Sequence, residues 1–305
     1  MKNNIAIIMS TYNGESYIKE QLLSIANQEK VNYKLFIRDD GSKDDTIKII
    51  NGLKNKMNIE LIKDENIGAG KSFMILLKYV LSLEEKFDYY AFADQDDIWF
   101  KDKLISAIKM INKEEPLLYC CNQIDYKNKK PVGESKNKGY IAPTLKQSLL
   151  KCDVPGCTYV FNKAMANKIE KTRIPIDEFL MYRFHDTWIY SVACIYGKIV
   201  YDEKPHIYYR IHEANTSMKK VGYIKKFILS FSKTKHRKGM RSLHARQLLE
   251  KCDNIKQEDI ELLKKIGEYR NNIKSRFTII SDKEIPRICN ENILAFYLKV
   301  LTGFF

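Results

Sequence analysis

Three polar runs in the first third of this chain carry the oxygen-rich side chains from which nucleotide and metal sites are built. They are Ser10-Thr11-Tyr12-Asn13-Gly14, Asp39-Asp40-Gly41-Ser42 and Asp94-Gln95-Asp96-Asp97. The third is the sharpest, because three carboxylates within four residues repel one another unless a cation or a dense set of donors compensates them. Carboxylate oxygens are hard ligands suited to Mg²⁺ or Mn²⁺, and Mg²⁺ in particular binds through one or two of them together with substrate phosphates. A solvated acidic turn ahead of a helix is the plainer reading, since acids favour helix N-termini. The apolar flanks, Tyr89 to Ala93 before and Ile98-Trp99-Phe100 after, favour a semi-buried rim instead. Taken singly, Asn-Gly and Asp-Gly-Ser are turn formers and caps. Their recurrence at equivalent places is what calls for chemistry.

Those places are the ends of strands. Short β-type runs alternate with helical patterns, the mark of an α/β sheet with crossover helices. Strands are expected at Ile5 to Met9, Tyr33 to Arg38, Ile59 to Ile62, Tyr89 to Ala93 and Leu117 to Asn122. Helices are expected over Glu15 to Asn27, Asp45 to Leu53, Lys71 to Leu83 and Lys101 to Ile111. In such a sheet ligands sit beyond the carboxyl ends of the strands, where all three polar runs fall. Farther on, Tyr126 to Tyr140 reads as a surface loop. Gly156 to Phe161 reads as β-type, the Ala164 region and Asp186 to Ile195 as helices, and Lys198 to Ile211 as one or two strands. From Val221 onward the pattern is helical and basic, which predicts a catalytic-type domain over 1–220 and a helical extension over 221–305.

Composition narrows the partners. With 305 residues, 45% of them hydrophobic, the chain can bury a sizeable core, and 13 Gly and 7 Pro are too few for low-complexity linkers. Its net charge of +14 implies an acidic partner. Between Glu213 and Glu250 there is no acid, while Lys219, Lys220, Lys225, Lys226, Lys233, Lys235, Arg237, Lys238, Arg241 and Arg246 supply ten positive charges. Seven scattered cysteines without a C-x-x-C pair suit reduced thiols in a cytoplasmic protein. No apolar run approaches the ~20 residues needed to span a bilayer, so the expected membrane contact is peripheral.

In their order and spacing, Ser-Thr-Tyr-Asn, Asp-Asp-Gly-Ser, Asn66-Ile67-Gly68 and the Asp-x-Asp element at 94–96 resemble the family 2 glycosyltransferases of the GT-A fold. Phe184-His185-Asp186-Thr187-Trp188 and Tyr209-Arg210-Ile211-His212-Glu213-Ala214-Asn215 are similar, more narrowly, to the bacterial rhamnosyltransferase-type branch that builds surface polysaccharides. The resemblance covers Lys2 to Met218. It implies an inverting enzyme moving a sugar from a nucleotide-diphosphate donor, dTDP-rhamnose or a UDP-hexose, to a saccharide or lipid-linked acceptor. It further implies that Asp39, with Asp40 beside it, Thr11 and Tyr12 bind the base and ribose, and that Asp94 lies near the ribose or donor sugar. Asp96 would hold a Mg²⁺ or Mn²⁺ bridging the diphosphate, with His212 returning to that metal or diphosphate. Asp186 would be the general base, although an Asp at a helix start is also an ordinary N-cap. Trp99 and Trp188 are either walls of the sugar site or core.

Other readings are weaker. Gly68-Ala69-Gly70-Lys71-Ser72 looks like a phosphate-binding loop, but G-x-x-x-x-G-K-[ST] needs glycine at 65, where the chain has Glu65. Lys71, near a helix N-terminus, remains a candidate for donor phosphate. A non-catalytic binder of nucleotide sugar or nucleic acid would explain the charge, but the basic stretch has no nucleic-acid recognition motif. Its interleaved Tyr223, Phe227, Ile228, Leu229 and Phe231 suit an anionic membrane face, at the inner side of the cell membrane, as well as packing on the domain.

Overall fold

The computed structural model describes residues 3–134, 144–152, 154–175, 185–212, 239–289 and 292–305. These fall into two compact units, Met1–Pro143 with Asp153–His212, and Thr144–Cys152 with Glu213–Phe305. The expected boundary at 220/221, and the basic stretch apart from Arg241 and Arg246, lie outside the described residues.

The first unit is built on a nine-stranded mixed sheet. Its strands are β1 (Asn4–Thr11), β2 (Asn32–Asp39), β3 (Ile59–Lys63), β4 (Tyr89–Ala93), β5 (Ile98–Trp99), β6 (Leu117–Lys127), β7 (Lys130–Glu134), β8 (Val160–Asn162) and β9 (Lys198–Arg210). They run in the order β3-β2-β1-β4-β8-β6-β9-β5, with β7 on β6. Between them lie α1 (Ile18–Ala26), α2 (Thr46–Leu53), α3 (Ala69–Ser82), α4 (Lys103–Ile111), α6 (Lys163–Lys171) and α7 (His185–Tyr196); α5 (Leu145–Leu150) belongs to the second unit. In β1 every residue from Ile5 to Thr11 is buried, as a strand covered on both faces requires. Helix α3 sends Phe73, Leu76, Leu77 and Val80 inward at helical spacing.

Because β1, β2, β3 and β4 pair in parallel, their carboxyl ends share one edge. Thr11 stands opposite Asp39, and Ala93 opposite Met9, so the three polar runs leave the sheet side by side. The order reverses at β1, whose crevice toward β4 is the ligand position of such sheets.

Two local expectations are corrected and one alternative is resolved. Tyr126 to Tyr140 is not a loop throughout: β6 continues to Lys127 and turns back as β7, with Asn128 and Lys129 at φ 52° and 59°. Two left-handed residues between strands make the tight hairpin turn that matches strand twist. Within Gly156 to Phe161 only the last two residues lie in a strand, because Gly156–Thr158 forms a 3₁₀ turn. Lys198 to Ile211 is one strand ending at Arg210, bent by register shifts against β6 at Asn122.

The second unit is helical: α5, α8 (Met240–Lys251), α9 (Gln257–Glu268), α10 (Ile273–Ser281), α11 (Glu284–Cys289) and α12 (Ile293–Leu301). Lys146 reaches Asp282 at 2.9 Å and Glu284 at 2.6 Å, tying α5 to the start of α11. The Tyr269 hydroxyl donates to the Phe305 carbonyl at 2.6 Å, seating the last residues on the end of α9. Asn272 and Asn292 cap α10 and α12, each accepting two backbone N–H groups that the first helical turn cannot pair internally. None of the described helices is long and apolar enough to cross a membrane.

Candidate active site

The β1 and β2 ends form one hydrogen-bonded floor. Asp39 is buried; its Oδ2 accepts from Thr11 Oγ1 at 2.9 Å and Ser42 Oγ at 2.6 Å, and its Oδ1 from the Ser42 N–H at 2.8 Å. Asn13, at φ 46°, donates its N–H to Ser42 Oγ at 2.9 Å and accepts from the Lys43 N–H at 2.9 Å. Two loops that meet only in three dimensions are thereby zipped together, leaving Tyr12 exposed above them.

Gln95 joins this floor to the acidic loop after β4. Its side chain accepts from the Tyr12 N–H at 2.9 Å and donates to the Tyr12 carbonyl at 3.1 Å. The close approach needs Gly14, because a Cβ there would run into the Gln95 amide.

Asp40 is held by a separate set of partners. Its carboxylate pairs with the buried Arg38 and accepts from the Ile67 N–H at 3.1 Å and the Gly68 N–H at 2.9 Å. Arg38 also donates to Ser72 Oγ at 3.0 Å and the Glu65 carbonyl at 3.0 Å. The pair thus holds the Asn66-Ile67-Gly68 loop and the start of α3. Lys71 lies in the first turn of α3, partly exposed.

The acidic loop gathers charge from distant parts of the chain. Asp94 is pushed well above the ordinary carboxylate range by burial and then by the negative charges of Asp97, Asp96 and Asp186, against a hydrogen bond with Cys157. Asp97 is raised to about 7, chiefly by burial and then by Asp96. The buried Lys103 ammonium, 3.8 Å from the centre of the Trp99 ring, and the Arg210 N–H at 3.1 Å from Asp97 Oδ1 partly offset this. Burial in turn lowers Lys103. Potential ligand atoms of Asp94, Asp97 and Cys157 lie within 4.8 Å of one another. The Cys157 thiol is fully buried and raised well above its usual value, first by burial and then by the two carboxylates.

His212 Nε2 lies 2.8 Å from Asp96 Oδ2. The imidazole is stacked on Tyr17 with ring centres 4.8 Å apart, and the Arg210 guanidinium stands between Tyr17 and Tyr126, paired with Glu20. Arg210 Nε donates to the Asp96 carbonyl at 2.6 Å, so the end of β9 is fastened to the acidic loop.

Asp186 sits in the first turn of α7, accepting from the Thr187 N–H at 2.6 Å. Gly156 makes its place possible: a Cβ there would meet Asp186 and His185 at 2.9 Å each. His185 is buried, stacked on Phe73 at 3.9 Å and edge-on to Phe92, and burial lowers it to about 3. Trp99 and Trp188 are both buried, so they belong to the core rather than to a sugar wall. Phe184, which opens the His-Asp motif, lies outside the described residues.

The sequence patterns assign no role to Arg38, Gln95, Lys103, Cys157 or the Tyr17–Arg210 stack. The legible signal was the charge itself: Arg38 and Lys103 stand at buried positions of otherwise apolar patterns, where a cation needs a partner.

The chain and its frame have known counterparts. The profile described as "Glycosyl transferase family 2" matches residues 6–172. The chain is 36% identical over 222 residues to the dTDP-rhamnosyl transferase RfbG of Shigella flexneri, covering 68% of this chain and 72% of that protein. Its backbone resembles S. aureus TarS residues 1–349, solved with UDP-GlcNAc, with TM-score 0.59, 20% identity, and 98% and 81% of the two chains covered. It also resembles the mannosyltransferase PcManGT from Pyrobaculum calidifontis, solved with GDP-Man and Mn²⁺, with TM-score 0.59, 12% identity, and 99% and 88% covered.

Proposed function

Since the chain belongs to glycosyl transferase family 2 and has the GT-A fold with C-terminal helices, we propose that it is an inverting transferase. It moves a sugar from a nucleotide-diphosphate donor to a saccharide or lipid-linked acceptor in surface polysaccharide synthesis. dTDP-rhamnose is the first choice of donor, supported by the likeness to a dTDP-rhamnosyl transferase, and a UDP-hexose the second.

The observation that carries this reading is the meeting of Asp186 with the acidic loop whose Asp96 pairs with His212. In the reaction Asp186 takes the proton of the acceptor hydroxyl while that oxygen attacks the anomeric carbon. The new C–O bond forms as the bond to the diphosphate breaks on the opposite face. Asp39 and Thr11, with exposed Tyr12 above them, serve the base and ribose, Asp94 the ribose or donor sugar, and Lys71 the donor phosphates. Asp40 acts beneath them through the loop it holds.

The donor set fits a hard divalent cation, Mg²⁺ or Mn²⁺. Asp96 and His212 offer a carboxylate oxygen and an imidazole nitrogen 2.8 Å apart, in a loop whose neighbouring carboxylates are short of positive charge. Asp96 and His212 would hold the ion, which would offset charge building on the diphosphate. The cluster of Asp94, Asp97 and Cys157 suits it less, because the thiol is a soft ligand and is disfavoured as thiolate.

The enzyme works in the cytoplasm, peripherally at an anionic membrane face, with the basic stretch Lys219 to Arg246 as the contact and no nucleic acid as partner. The deciding experiment is a donor-hydrolysis and transfer screen across nucleotide sugars with and without Mn²⁺. Turnover with dTDP-rhamnose supports the reading, and binding without turnover of any donor would make the protein a non-catalytic binder.

A further inference from the structure

Among the described residues, six of the eleven large hydrophobic side chains that stand exposed belong to two helices of the second unit: Ile273 and Phe277 on α10, and Ile293, Leu294, Leu298 and Leu301 on α12. Phe277 is 63% exposed and Leu294 68%. Helix α12 buries Ala295, Phe296 and Val300 on its other side, so it is apolar all round. Such a helix is normally covered on both faces. Its one charged residue, Lys299, is buried and leaves the outer face uncharged. The Arg276 guanidinium donates to the Leu301 carbonyl at 2.7 Å, which fixes the α10 segment next to Phe277 against the end of α12, so the two helices that carry the exposed side chains are neighbours.

The charge around this surface selects its occupant. The described residues of this unit hold fourteen Lys and Arg against eight Asp and Glu, a net of +6. The acids that follow α10 in the chain, Asp282 and Glu284, are already paired with Lys146, while Lys274, Lys283 and Arg287 stand exposed. A second copy of the same unit would bring like charge against like, +6 against +6 over the described residues. An anionic bilayer offers hydrocarbon for the six side chains and negative headgroups for the cations.

We propose that the α10–α12 face is a lipid-inserting surface. This rests on the anionic-membrane reading above and deepens it: the basic stretch would supply attraction, and this separate apolar face would supply insertion. The two contributions differ in their response to salt, because screening weakens the first and leaves the second.

The test uses the full chain with vesicles of neutral phosphatidylcholine, alone or mixed with anionic phosphatidylglycerol. Wild type should sediment with the mixed vesicles and keep part of its binding when salt is raised after docking. The double variant Phe277→Ser/Leu298→Ser, both at exposed positions and so expected to fold, should lose about tenfold or more in partitioning and all of the salt-resistant part. A Phe277→Trp variant should shift its emission to the blue on mixed vesicles. Unchanged partitioning of the double variant, with no shift at Trp, overturns this inference while leaving the basic-stretch reading intact. No binding of wild type to either vesicle at low salt overturns both. Self-association of wild type that the double variant abolishes, without vesicle binding, assigns the face to a second copy and overturns the lipid proposal. Donor hydrolysis in the absence of vesicles reads the transferase assignment independently.

Discussion

His212 Nε2 and Asp96 Oδ2 lie 2.8 Å apart although 116 residues separate them. The contact exists because β9 runs parallel to β6, pairing Tyr126 with Arg210, and because Arg210 then bonds the Asp96 carbonyl and the Asp97 carboxylate. Asp96→Ala should abolish metal-dependent donor binding. His212→Ala should raise the Mn²⁺ concentration needed for half-maximal rate. Titration calorimetry with nucleotide sugar, with and without EDTA, checks both, and full turnover in EDTA would sink the metal assignment.

Asp186→Asn should lower transfer by ~10²–10⁴-fold while leaving donor affinity near that of wild type, since a base acts on the acceptor's proton and not on the nucleotide. Rate and donor titration measured on the same preparation decide it. A variant transferring at wild-type rate would send the search for the base elsewhere.

Arg38→Met should destabilise the protein by ~3–5 kcal/mol, because it strands the buried Asp40 carboxylate without its cation. The double change Arg38→Met/Asp40→Leu should recover part of that loss by removing the orphaned charge, although the Ile67 and Gly68 N–H groups then lose their acceptor. Urea midpoints at neutral pH measure the difference. Equal stability of Arg38→Met and wild type would contradict the pairing.

His185 makes stability depend on pH. Unfolded, it titrates near 6.5; folded, burial holds it neutral down to about 3. The unfolded chain therefore takes up a proton that the folded chain refuses, and stability falls as pH drops from 6.5 toward 3, by at most ~1.4 kcal/mol per pH unit from this residue. His185→Phe, which keeps an aromatic ring against Phe73 and Phe92, should flatten that part of the profile. An unchanged slope in chemical unfolding between pH 6.5 and 5 would show that His185 is charged in the folded state.

Much of the frame was legible before any coordinates. The first four strands and helices follow from apolar spacing and from Asn-Gly and Asp-Gly turns, which are local signals; β4 runs from Tyr89 to Ala93, the limits its sequence predicts. Local chemistry is ambiguous at two places. Asn128-Lys129 lacks the glycine that usually marks a two-residue hairpin, and the β-branched and aromatic residues after Gly156 hid a 3₁₀ turn.

The sequence by itself determined which residues leave the parallel strands together, because strand period and turn chemistry are properties of neighbours in the chain. Only the tertiary structure decided what each of them faces. It turned Asp40 inward to Arg38 and Asp39 onto Thr11, buried Trp99 and Trp188, set Lys103 near Asp97, and brought Asp186 and His212 to the acidic loop. The reason is electrostatic as much as steric. A buried charge is tolerable only beside its partner, and where the partners are far apart in sequence, as Asp96 and His212 are, they are chosen by strand register and helix packing, which no local pattern encodes.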